Sequence, residues 1–76
     1  METQQIHNRL KTAYPDADVE VVDLTGGGNH FQVKLFSKAF HGKNRLQSQR
    51  EVMNVFQAEF QTGELHALAL EVKEKE

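Results

Sequence analysis

Three consecutive glycines, Gly26, Gly27 and Gly28, stand between two segments of alternating side chains, and this arrangement constrains the fold more than any other feature. Residues 18–24 are rich in β-branched side chains. His30 to Ser37 alternates more cleanly, with Phe31, Val33 and Leu35 on one side. The link Thr25-Gly26-Gly27-Gly28-Asn29 suits a turn that needs positive φ at several positions, so the two segments are expected to pair as an antiparallel hairpin with backbone amides exposed at its tip. The glycines lead into a strand, whereas a phosphate-cradling glycine run must open a helix. The loop is therefore read first as a turn.

The elements around the hairpin follow from periodicity. Ile6, Leu10, Ala13 and Tyr14 recur at helical spacing and Pro15 ends the pattern, which predicts a helix over residues 3–14. Phe40-His41-Gly42 reads as a bend. Beyond it Val52, Met53, Phe56 and Phe60 form one stripe, and Ser48 and Glu51 have the spacing of a capping box. The expectation is a short helical turn at 43–47, then a longer helix beginning near Ser48 and closed by Gly63 as its C-cap. Leu65 to Lys73 alternates as a third strand, with His66, Leu68, Leu70 and Val72 on one side and Ala67, Ala69 and Glu71 on the other. The fold class is α+β: a three-stranded sheet in an αββ(α)αβ order, with the helices on one face. Periodicity leaves open which hairpin strand the third one joins.

Seventy-six residues form one domain, residues 1–76, with a modest core and no room for a deep internal cleft. The chain is therefore expected to be a binding protein, not an enzyme, and no Ser–His–acid order or pocket-forming carboxylate pair argues otherwise. Without cysteine, any metal chemistry falls to histidine, carboxylate or a partner's groups. The opening METQQIHNRL has no secretory pattern and no window approaches a membrane span, so a cytoplasmic location is expected. Net charge is −2 but unevenly spread, since residues 24–50 hold five basic side chains and no acidic one. Lys34, Lys38, Lys43, Arg45 and Arg50 make this basic island, either a solvated face or a footprint for an acidic partner or nucleic acid.

Three motifs carry a family resemblance. Gly26-Gly27-Gly28-Asn29-His30-Phe31-Gln32-Val33, Phe40-His41-Gly42 and Leu65-His66-Ala67-Leu68 resemble, in order and spacing, the BolA family's glycine loop ending in His-Phe-x-Val, its F-x-G turn and its late (I/V)-H-A-L strand. The family's Arg-His-Arg falls on Ser48, Gln49 and Arg50, of which one matches. Gln49, Arg45 and the G-x-x-H-F-Q-V stretch look more like the IbaG branch. The resemblance implies a fold similar to the class II KH domain. It also implies pairing with a monothiol glutaredoxin around a bridging [2Fe-2S] cluster, to which the glutaredoxin brings its cysteine and glutathione. It assigns His66 as one ligand, with His30 the nearest candidate for the second. The isolated chain is expected to bind no cofactor and to be a monomer or weak homodimer.

From spacing alone, His30 and His66 are simply a hairpin residue and a strand residue, because no H-x-x-x-H pattern makes a metal site specific. His7 and His41 read as exposed and receive no role. The competing function is nucleic-acid binding, with DNA as the target in a regulatory role, through Lys43, Arg45 and Arg50. The segment Arg45-Leu46-Gln47-Ser48 lacks the glycines of a KH G-x-x-G loop, which argues against RNA binding in the KH manner.

Overall fold

The computed structural model describes all 76 residues. Helix α1 (Thr3–Ala13) is followed by strands β1 (Asp18–Asp23) and β2 (His30–Ser37) and a single 3-10 turn (Lys38–Phe40). Helices α2 (Arg45–Val55) and α3 (Gln57–Thr62) and strand β3 (Ala67–Glu74) complete the chain. The sheet order is β1-β2-β3, with β2 antiparallel to β1 and parallel to β3. Parallel neighbours need a long crossover, and here the 3-10 turn, α2 and α3 provide it. No helix is long and apolar enough to cross a membrane.

Alternation along β2 sorts the two faces of the sheet. Phe31, Val33, Leu35 and Ser37 are buried, while Gln32 and Lys34 are exposed. The inward residues meet Ile6 and Leu10 of α1 and Tyr14, the residue that caps it, at every fourth position, together with Val52 and Phe56 from the second helical segment. Val19, Val21, Leu68, Leu70 and Val72 of the outer strands pack against the same core. On the other face Glu20, Val22, Gln32 and Lys34 are exposed, and the start of α2 flanks it only beside β3. Glu20, Lys34 and Glu71 form a cross-strand row of alternating charge there.

The second helical segment departs from its expected form in two ways. Helix α2 starts at Arg45, capped by Asn44, whose side chain accepts the Gln47 amide at 2.8 Å while Gln47 Oε1 accepts the Asn44 amide at 3.0 Å. The expected turn at 43–47 and the start near Ser48 are therefore corrected. Ser48 is a buried residue inside the helix, and Glu51 bonds instead to the Tyr14 hydroxyl at 2.7 Å and to Lys43. The short turn lies earlier, at Lys38–Phe40. The helix also breaks at Phe56, which takes φ −110° and ψ 18° without a nearby proline or glycine. Arg9 holds this junction from α1, donating to Val55 O and Glu59 and lying 5.1 Å from the Phe56 ring centre. Gly63 ends α3 in the left-handed conformation, φ 84°, as its position suggested.

Three carboxylates tie these elements together. Asp16 accepts the Lys38 amide and the Ser37 hydroxyl, Glu51 accepts Lys43 and Tyr14, and Glu59 accepts Arg9. Those donors, in that order of importance, hold each carboxyl below its ordinary value. A depressed folded value means that the unfolded chain takes up protons first on acidification. The stabilisation is thus complete above the ordinary carboxylate range and is lost as pH falls through the lowered values. The urea midpoint should hold steady from neutrality to the upper edge of that range and then drop. Asp16→Asn should lower the neutral midpoint and flatten the acid limb; an unchanged limb would show that Asp16 does not contribute to it.

Candidate functional site

The end of the sheet at the glycine loop gathers the chemistry. Asp23, the last residue of β1, turns its carboxylate into the loop. Its Oδ1 accepts the amides of Thr25 at 3.2 Å and Gly26 at 2.9 Å, and its Oδ2 accepts that of Gly28 at 3.0 Å. Gly26 and Gly28 adopt φ of 76° and 75°, the positive values read from their sequence. The amides expected to stand free at the tip are largely taken up by Asp23 and, for Gly27, by Thr25 Oγ1 at 3.3 Å.

His30 opens β2 from this loop. His66 arrives by another route: Gly63 ends α3, Leu65 is buried in the core, and the following residue is left outside. The expected third strand is thus shorter at its start, since β3 begins at Ala67 and His66 precedes it. The Asn29 carbonyl accepts the amides of His66 at 2.8 Å and Ala67 at 3.2 Å, which sets Ala67 opposite His30 in the parallel register. The two imidazoles, 36 residues apart in sequence, meet edge to face with ring centres 5.6 Å apart and planes at 83°. His30 is half-buried and His66 exposed.

This pair is incomplete as a metal site by itself, because no group of three or more His, Cys, Asp or Glu side chains converges anywhere in the chain. It offers two imidazole donors at an accessible edge and leaves further coordination to another molecule. His30 Nδ1 lies 2.7 Å from Asn29 Oδ1, so one of its ring nitrogens is already occupied. The remaining histidines lie elsewhere. His41 is exposed and pairs with Glu74 at 2.5 Å, while His7 is half-buried, not exposed, with an unpartnered Nδ1.

The basic island converges only in part. Lys34, Lys43 and Arg45 line a groove of about 840 Å³ between α2 and β3, whose walls also carry Glu71 and Glu74. Lys43 is already paired with Glu51, and Arg50 is exposed and does not line the groove. Gln49 reaches across to donate to Leu70 O at 3.3 Å, covering one carbonyl of the β3 edge. Sequence reading passed over Asn29, Asp23 and this role of Gln49. The legible signal was an Asp and an Asn bracketing a glycine loop, a common source of side-chain bonds to turn amides.

Fold and site together define a small α+β domain that presents two imidazoles beside a glycine loop. This chain belongs to the BolA-like protein family, whose model matches residues 3–76. An uncharacterised protein from the rpoN–murA intergenic region of Acinetobacter guillouiae is 30% identical over 76 residues, 100% of this chain and 88% of that protein. BolA1 from Arabidopsis thaliana superposes with a TM-score of 0.85 at 28% identity, covering 97% of this chain and 94% of that one. The BolA domain of SufE1, also from Arabidopsis thaliana, gives 0.86 at 28% identity over 95% and 90% of the two chains.

Proposed function

We propose that this chain is a BolA-type partner of a monothiol glutaredoxin, sharing with it a bridging [2Fe-2S] cluster held on this side by His66 and His30. The observation that carries the reading is the meeting of these two imidazoles at 5.6 Å on an accessible edge. Metal–nitrogen bonds are about 2 Å long, so two imidazoles on one ion place their ring centres roughly 5–6 Å apart. The donor set agrees as well: irons of such clusters accept neutral imidazole in place of thiolate, which suits a chain without cysteine. With only two donors on this chain, the sulfur ligands fall to the partner's cysteine and to glutathione. The chain's task in this reading is to bind and present, not to catalyse. Gln49 and Arg45 favour the IbaG-like branch.

A nucleic-acid role has less support, because Glu71 and Glu74 share the groove with Lys34 and Arg45 and oppose a phosphate backbone there. The leading reading is tested by reconstituting this chain and a monothiol glutaredoxin with iron, sulfide and glutathione. A heterodimer should form whose visible circular dichroism differs from that of the glutaredoxin alone. His66→Ala should abolish that spectrum or make it decay at least about tenfold faster, because loss of an outer-shell partner alone costs about ten- to a hundredfold in metal affinity and loss of a ligand should cost no less. An unchanged spectrum and lifetime in His66→Ala would overturn the ligand assignment.

A further inference from the structure

Asn29 touches both histidines by different atoms. Its side-chain Oδ1 lies 2.7 Å from His30 Nδ1, and its main-chain carbonyl accepts the His66 amide at 2.8 Å and the Ala67 amide at 3.2 Å. We propose that Asn29 is the positioning residue of the pair, its side chain setting the tautomer of His30 and its carbonyl placing His66 alongside. The proposal deepens the cluster-sharing reading and rests on it only for its functional consequence.

The chemistry follows from the acceptor character of an amide oxygen. Asn29 Oδ1 accepts only, so the facing Nδ1 carries the proton and the Nε2 lone pair is left free. An imidazole whose distal N–H is held by an oxygen is both oriented and more basic at the nitrogen that ligates. The loop in turn holds Asn29. Gly28 before it is bonded to Asp23 Oδ2 at 3.0 Å, and its carbonyl accepts the Met1 amino group at 2.7 Å, so the loop is held on the residue next to Asn29. The main-chain contact survives any substitution of the side chain, because every residue supplies a carbonyl. The two roles can therefore be separated by mutation.

The test uses the isolated full chain, labelled with nitrogen-15, in alkaline buffer. Long-range proton–nitrogen correlation should show His30 protonated at Nδ1. Asn29→Ala should move His30 toward the Nε2–H form, whereas Asn29→Asp, which keeps an acceptor oxygen, should hold it at Nδ1–H. In all three proteins the His66 and Ala67 amides should stay protected from exchange, confirming that the loop remains folded. His30 protonated at Nε2 in the unsubstituted chain, or unmoved by Asn29→Ala, would overturn the proposal. With glutaredoxin, Asn29→Ala should shorten cluster lifetime about tenfold and Asn29→Asp should restore it. A complete absence of a cluster-bearing heterodimer with the unsubstituted chain would instead defeat the cluster reading, and the tautomer result would stand independently.

Discussion

Phe56→Ala is expected to destabilise the fold by about 3–5 kcal/mol, the range for removing a fully enclosed phenylalanine. The ring is 0% exposed and lies in the cluster that joins α1, the sheet and both halves of the second helical segment. It also sits at the point where α2 gives way to α3, with Arg9 over its face at 5.1 Å and bonded to both neighbouring turns. Truncation would leave a cavity and remove the cation's partner at once. A domain of this size has a total stability of roughly 4–11 kcal/mol, so this one side chain commands a large share of it. Thermal unfolding followed by far-ultraviolet dichroism should shift down by on the order of 15–30 °C. Val22→Ala on the outward side of β1, where Val22 is 44% exposed, should shift it hardly at all. A loss below about 5 °C in Phe56→Ala would mean that the junction repacks.

Gly28→Ala is expected to have the second largest effect, with two separate causes. Its φ of 75° costs an L-residue about 1–2 kcal/mol. An added Cβ would also come within 2.7 Å of the Met1 main-chain oxygen, well inside van der Waals contact. Gly63→Ala separates the causes, since Gly63 has the same left-handed backbone, φ 84°, and open space where a Cβ would stand. Gly63→Ala should cost the backbone term alone, and Gly28→Ala should cost clearly more. Equal urea midpoints for the two variants would show that the Met1 contact gives way freely. Because Gly28 precedes Asn29 and is held by Asp23, its substitution should also disturb the His30 tautomer, which Gly63→Ala should leave alone.

Features written in adjacent residues are legible in the amino-acid sequence itself. The hairpin follows from alternation on both sides of three glycines, and both the antiparallel pairing and the positive φ values at Gly26 and Gly28 are present. The core stripes Ile6–Leu10–Tyr14 and Val52–Phe56 and the C-cap at Gly63 are equally local, each resting on one helical period or one backbone conformation. His66 and His30 can be named from motif resemblance, but spacing along the chain cannot bring them together.

The rest depends on partners distant in sequence. Asn44-x-x-Gln47 and Ser48-x-x-Glu51 carry equivalent capping spacing, and the choice falls to Asn44 because tertiary contacts claim the Glu51 carboxylate for Tyr14 and Lys43. The break at Phe56 has no local breaker and is held by α1 through Arg9. Strand β3 joins β2 because the helical crossover returns the chain there, where the Asn29 carbonyl meets two β3-side amides. Local sequence thus determined a glycine-turned hairpin, its apolar face and the helices able to cover it, since those signals need only neighbouring residues. Only the tertiary structure decided that two histidines 36 positions apart share one edge, because that contact depends on the parallel register that long-range hydrogen bonds impose.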